Sequence, residues 1–299
     1  MRGSMREGIV QEYKRGLKAV AVEEVFDLVF YRPLAFLLVK LIYRTSITPN
    51  ELTLASMVLG ICGGVSYAIG TPVSLVAGAL FSLLYNILDC CDGQLARLKH
   101  SGTPIGRILD GVADYVATVA AYVGLAIGYA NSSANPALMW AFTVFAGASS
   151  AVQCGLLDFY RNRFLDVTLG RKSVLGEEQE VFRNELNSLQ QRKGHWFEKL
   201  LLWIYLRYSA VQRRVMGEST PSEAPALDPV AFRKENRVLM HCWTYIGPTT
   251  QWTIFIVCSL LNRPYIILWV IAVPFNVMAA VMFLAQKKKD RMMIRSTGR

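Results

Sequence analysis

Apolar residues gather in long uncharged runs along this chain, and short polar clusters separate the runs. Residues 52–88 contain no Asp, Glu, Lys or Arg, and neither do residues 115–157. Helical segments of about 20 apolar residues are long enough to cross the hydrocarbon of a bilayer. The pattern predicts a first span over about 52–70, entered through Thr48-Pro49-Asn50, which suit a helix cap and first turn. The turn "GTPV" at 70–73 leads to a second span ending near Arg97, and "KHSG" at 99–102 leads to a third over 103–130. "NSSANP" precedes a fourth over 137–160; a fifth covers 243–261, and a sixth follows "NRP" over 265–286. Residues 30–44 are apolar but interrupted by Arg32, Lys40 and Arg44, which suits a helix lying in the membrane interface. The expected fold is an all-α integral membrane protein with six transmembrane helices and an N-terminal interfacial amphipathic helix.

Composition agrees: 53% of residues are hydrophobic, mean hydropathy is +0.30 and the formal net charge is +10. The basic residues crowd the N-terminal segment, the turn near Lys99, the stretch after Arg161 and the tail "QKKKDRMMIR", whereas the opposite turns at 70–73 and 131–136 carry none. The positive-inside rule then places both termini and the Lys99 turn in the cytoplasm, and no nucleic-acid partner is expected. Four regions follow: a cytoplasmic and interfacial segment 1–47, four spans over 48–160, a cytoplasmic insert 161–241, and two spans with a basic tail over 242–299. Within the insert, "HWFEKLLLWIYLRY" (195–208) has aromatic and basic residues suited to lipid headgroups, and 217–229 resembles a linker.

Four aspartates sit where the membrane should be. Asp89 and Asp92 share a helix face, as do Asp110 and Asp114. Asp92 and Asp110 lie nine residues on either side of residue 101, and Asp89 and Asp114 lie twelve and thirteen away from it. In an antiparallel hairpin the two pairs meet roughly 12–19 Å from the turn. Four negative charges so placed need a cation, and Arg97 and Arg107 alone do not suffice. Oxygen-only ligands select Mg²⁺, Mn²⁺ or Ca²⁺ over zinc, and two such ions would form a clamp for phosphoryl chemistry. The ordinary alternative is a solvated D-x-x-D face with glycines used only for helix packing. The six cysteines form no C-x-x-C pair and the three histidines no ligand spacing, so neither zinc nor disulfides are expected.

The run Asp89-x2-Asp92-Gly93-x2-Ala96-Arg97-x8-Gly106-x3-Asp110-x3-Asp114 fixes eight residues over 26 positions. It resembles the full signature of the CDP-alcohol phosphotransferase family. The resemblance implies a membrane enzyme, usually a homodimer, that moves a phosphatidyl-type group from a CDP-linked lipid to an alcohol and releases CMP. It further implies two Mg²⁺ or Mn²⁺ ions held by Asp89, Asp92, Asp110 and Asp114. Asp114 would also act as general base, and Gly93, Ala96, Arg97 and Gly106 would line the CDP pocket.

The acceptor is less constrained. Arg161 and Arg163 end the fourth span and Arg237 precedes the fifth; folded over the aspartates, they would suit a phosphorylated polyol. The N-terminal "YRPLAFLLVKLIYRTSITPN" resembles phosphatidylinositol-phosphate and di-inositol-phosphate synthases, which use such acceptors. These arginines are equally readable as charges facing anionic lipid. A choline or ethanolamine acceptor would instead call for an aromatic cage, for which Trp243, Tyr245 and Trp252 are available. From other classes, a cation transporter would use intramembrane acids, but these lie at one end of their helices and no inverted repeat accompanies them. A non-catalytic scaffold leaves the acids unexplained.

Overall fold

The computed structural model describes residues 11, 13, 22–131, 133–169, 174–190, 194, 196, 199, 200, 202–207 and 228–297. All regular elements among them are helical. A π-helical turn, Asp27–Tyr31, runs into α1 (Arg32–Ile42), followed by α2 (Pro49–Ile69), α3 (Pro72–Leu98), α4 (Pro104–Asn131), α5 (Pro136–Leu169) and α6 (Val174–Gln190). After the insert come α7 (Pro229–Thr244), α8 (Pro248–Leu260), α9 (Ile266–Val270), a π-helical turn Ile271–Phe275, and α10 (Asn276–Thr297). Helices α2, α3, α4, α5, α7 and α8 each begin at a proline, whose fixed φ and missing N–H suit a first helical position. At α2 the expected start is realised as a capping box. Thr48 Oγ1 accepts from the Glu51 amide at 3.3 Å, and the Thr48 amide donates to Glu51 Oε2 at 2.8 Å.

Among the described residues, five helical stretches are long and apolar enough to cross a membrane: Pro49–Ile69, Pro72–Leu98, Pro104–Asn131, Pro136–Leu169 and Ile266–Met292. The chain is thus built as a multi-pass integral membrane protein. The stretch expected as one helix over 243–261 is divided. Helix α7 ends at Thr244, a tight turn follows, and Gly247-Pro248 starts α8, which has only 13 residues. At 1.5 Å per residue α8 is roughly 20 Å long, short of the ~30 Å hydrocarbon core. The fourth span reaches Leu169, nine residues beyond its expected end at 160.

Helices α2 and α4 pack most closely. A methyl group on Gly124 would run into the Gly64 carbonyl, and one on Gly64 would run into the Ala120 carbonyl. Glycine there lets two backbones touch, and this fixes how α4 sits beside α2 and α3. In the second half of the bundle, buried amides tie the irregular backbone. Gln153 Nε2 donates to the Ile271 carbonyl at 3.0 Å and to Asn276 Oδ1 at 2.8 Å. Gln251 Nε2 donates to Gln153 Oε1 at 3.1 Å and to the Ile246 carbonyl at 3.0 Å. Irregular backbone around the 245–247 turn and Pro274 is therefore satisfied from neighbouring helices, the condition for tolerating it at membrane depth.

The segment before α1 is more buried than its charges suggest. Glu23, Glu24, Asp27 and Arg32 are all buried, and Arg32 Nη2 pairs with Glu23 Oε2 at 2.8 Å. Ala35 and Val39 of α1 pack against Cys91 and Leu95 of α3, leaving Leu37 and Leu41 outward. The Glu24 carboxylate caps α8, accepting from the Thr250 amide at 2.8 Å, Thr250 Oγ1 at 3.1 Å and the Thr249 amide at 3.3 Å.

Two outcomes are expected from this packing. Gly124→Ala should lower the thermal unfolding midpoint in detergent, at an overpacking cost of about 1–3 kcal/mol. Gly155→Ala, where no heavy atom lies within 4 Å, should be neutral or stabilising by up to ~1 kcal/mol; equal midpoints for the two variants would refute the close α2–α4 contact. Burial pushes the Glu24 carboxyl up from 4.5 to about 7, with Asp27 adding to the rise and the Thr250 amide and Arg161 opposing it. The folded chain keeps this proton where the unfolded chain has lost it. The resulting stability is fully present below pH 4.5 and disappears as pH rises through 7, on the order of 3 kcal/mol. Unfolding midpoints at pH 5 and pH 8 should therefore differ more in the wild type than in Glu24→Gln, and the same pH dependence in both would contradict the assignment.

Candidate metal and phosphoryl-transfer site

The hairpin of α3 and α4 brings the aspartates together. Carboxylate oxygens of Asp89, Asp92 and Asp110 all lie within 4.8 Å of one another, and Asp114 follows Asp110 on α4 by about one helical turn. Asp92 is buried, and the other three are half-buried. The donor set is all oxygen, and its spacing fits a hard divalent cation held between carboxylates. The group also lies toward one end of both helices, six residues or more from the ends facing the Lys99 turn.

Two neighbours hold the acids in place, and the sequence reading identifies neither of them as a site residue. Thr53 Oγ1 on α2 is 2.5 Å from Asp92 Oδ2, while also lying 3.1 Å from its own Pro49 carbonyl. Its one proton favours the shorter, charge-assisted bond. Tyr85 Oη on α3 donates to Asp114 Oδ1 at 2.7 Å, and its ring lies 5.1 Å from that of Trp252 on α8. Tyr85 precedes Asp89 by four residues, so a shared helix face was the available signal. Thr53 lies on another helix and left no such signal.

The small residues of the motif lie on the same two helices as the acids. The Arg97 guanidinium folds back over Gly93, so that a methyl there would lie 3.3 Å from Nη1 and 3.4 Å from Nη2. At Gly106 a methyl would meet Asn50 Oδ1 at 2.9 Å and Thr103 Oγ1 at 3.0 Å, and Ala96 is half-buried on α3. Asn50 and Thr103 also line a cleft of about 310 Å³ with Thr45, Ser46, Lys99 and Ser101. The Lys99 ammonium holds its rim by donating to the Ile47 carbonyl at 2.9 Å and the Thr45 carbonyl at 3.1 Å.

The three arginines considered for the acceptor have separate surroundings. Arg161 lies 3.4 Å from Asp158 and 4.0 Å from Glu24. Arg163, some 200° further around α5, pairs with Asp290 of α10 at 2.6 Å. Arg237 is exposed on α7. The aromatic residues are likewise dispersed among different neighbours. Trp243 is buried on Tyr160, Tyr245 is packed edge-on against His241, and Trp252 lies against Tyr85.

The Thr53 bond has a measurable consequence. Thr53→Val preserves shape and removes the donor to Asp92, and loss of such an outer partner weakens metal binding about 10–100-fold. Calorimetric titration with Mn²⁺ should register that loss, and unchanged affinity would reduce the bond to a packing detail.

Comparison with known proteins bears on this geometry. Residues 46–172 match the sequence model of the CDP-alcohol phosphatidyltransferases. The chain is 34% identical over 88 residues to a phosphatidylinositol phosphate synthase of Corynebacterium glutamicum, covering 29% of this chain and 37% of that protein. It is 33% identical over 104 residues to a bifunctional IPC transferase and DIPP synthase of Rubrobacter xylanophilus, covering 33% of this chain and 23% of that one. The similarity thus spans little more than a third of the first relative and under a quarter of the second. The match to this family model encloses α2, α3, α4, α5 and the four aspartates.

Proposed function

We propose that this chain transfers a phosphatidyl-type group from CDP-diacylglycerol to an alcohol acceptor and releases CMP, with inositol phosphate or a related polyol phosphate as acceptor. The observation that carries this reading is the convergence of carboxylates from two helices, with oxygens of three of them within 4.8 Å of one another. The two relatives, by their names a phosphatidylinositol phosphate synthase and a DIPP synthase, support the choice of acceptor. Asp89, Asp92, Asp110 and Asp114 would hold two Mg²⁺ or Mn²⁺ ions. When bound, such ions neutralise a pyrophosphate and stabilise the charge on departing CMP.

The chain's own residues have distinct tasks in this reading. Arg97 offers its planar fork to a phosphate oxygen beside Gly93. The cleft next to Gly106, with Asn50, Ser101 and Thr103 on its walls, takes the cytidine. Asp114, oriented by Tyr85, accepts the proton of the acceptor hydroxyl. The hydroxyl oxygen bonds to the lipid-bearing phosphorus, and the bond from that phosphorus to the bridging oxygen breaks, leaving the electron pair on CMP. Arg161, which lies 4.0 Å from Glu24, supplies positive charge for the acceptor phosphate.

Topology completes the proposal. Helix α8 with the turn before it makes the fifth of six crossings, and α1 lies in the interface. The basic connections support a cytoplasmic position for the termini and the site. The working unit is a pair of chains, as the family resemblance implies.

Release of labelled CMP from CDP-diacylglycerol, across a panel of inositol phosphate, inositol, glycerol phosphate, serine and choline, tests this reading. Inositol phosphate should give the highest rate and a chelator should abolish it; failure of every alcohol to elicit CMP would overturn the assignment. Asp114→Asn should retain nucleotide binding while transfer falls about 10²–10⁴-fold. Asp89→Asn should instead lose metal affinity, so that excess Mg²⁺ partly restores its rate. Equal rescue of both variants would remove Asp114 from the role of base.

A further inference from the structure

The insert between α5 and α7 lies largely beyond the family match, which ends at residue 172, yet it packs against the catalytic hairpin. The described residues between 196 and 207 are helical, and their two faces differ. On the inner face, buried Leu202 packs with Tyr205 and Leu206 against Ile105, Ile108 and Val112 of α4 and against Phe182, Leu186 and Leu189 of α6. Tyr205 sits edge-on to Phe182 at 4.6 Å between ring centroids, and the Arg107 guanidinium lies 5.3 Å from the same Phe182 ring. The α4 residues in this contact flank Asp110 within the first turns of the helix.

The outer face is apolar and exposed. Leu200, Trp203 and Ile204 are about half-exposed, at 45%, 52% and 49%, and Trp196 reaches 73%. Positions 196, 200, 203 and 207 follow a helical stripe, and Arg207 closes it with its guanidinium 5.5 Å from the Trp203 ring centre. Lys199 lies at the edge of the stripe. Depth identifies what covers such a face. Helix α4 begins at Pro104, so Ile105, Ile108 and Val112 lie roughly 2–12 Å from its start, where a membrane span passes into the headgroup layer. Indole rings prefer that layer, and basic residues beside them match anionic headgroups.

We propose that the face formed by Trp196, Leu200, Trp203, Ile204 and Arg207 docks on anionic lipid headgroups, so that the insert is seated on the membrane while its inner face holds the Asp110 end of α4. The occupant is the lipid surface itself. The α6–α4 packing makes the membrane one wall of the sandwich in which the catalytic helix is clasped.

Tryptophan quenching in nanodiscs tests this without reference to catalysis. The full chain is placed in phosphatidylcholine discs with and without phosphatidylglycerol, using lipids brominated high on the acyl chain. The emission difference between the wild type and Trp203→Phe isolates Trp203. That component should be quenched by bromolipid, more strongly with phosphatidylglycerol. The combined Lys199→Gln and Arg207→Gln variant should lose the phosphatidylglycerol-dependent part, as should high salt. A Trp203 component that is insensitive to bromolipid, or equally quenched without anionic lipid, overturns the proposal. So does shielding that appears only when two chains share a disc, which would make the occupant a second copy.

Discussion

Repulsion among the carboxylates of α3 and α4 is the constraint on which the rest of this structure depends. Two unit charges about 4.8 Å apart repel by roughly 3–4 kcal/mol even at an effective dielectric of about 20. Three such pairs cost on the order of 10 kcal/mol, as much as the whole stability of an ordinary domain. A chain can maintain this arrangement only if its helices are locked together by other means and the charge is relieved by protons or by a cation between the acids. Three of these carboxylates, Asp89, Asp92 and Asp110, are placed so that they could hold a metal ion between them.

The locking comes from close packing and from hydrogen bonds that leave the acids little freedom. Gly64 and Gly124 let the α2 and α4 backbones touch, while Thr53 of α2 reaches across to Asp92 of α3. Tyr85 holds Asp114 from the α3 side and is itself backed by Trp252 of α8. Helix α8 is in turn capped by Glu24, from the segment before α1. Parts of the chain outside the family match thus bear on the carboxylates through a short series of contacts. Chemistry at the phosphates depends on positioning more than on unusual reactivity, so this bracing connects fold to function.

Much of this was legible in the sequence because the uncharged runs and their proline-led starts dictate the first four helices. The symmetric spacing of the aspartates about residue 101 likewise dictates their meeting. The division of the fifth stretch was hidden because hydropathy passes over Gly247-Pro248, a breaker that the backbone obeys. Burial of Glu23, Glu24 and Asp27 was not legible, since their charges suggest an exposed surface. The partners that satisfy Glu24 lie more than two hundred residues away. The three arginines failed to converge for a helical reason: Arg161 and Arg163 are two residues apart and therefore point to different sides of α5. Thr53 was beyond reach because nothing in one helix announces which side chain of another will face it.

The central claim is that the carboxylates of α3 and α4 hold the cations on which transfer depends. Crystals or vitrified particles of the protein prepared with Mn²⁺ give the most direct test, with anomalous diffraction from the crystals used to locate the metal. The account predicts Mn²⁺ bound between Asp89, Asp92, Asp110 and Asp114, lost from that position in Asp89→Asn. Active protein whose manganese lies elsewhere, or whose four carboxylates remain without any metal at saturating Mn²⁺, would contradict it.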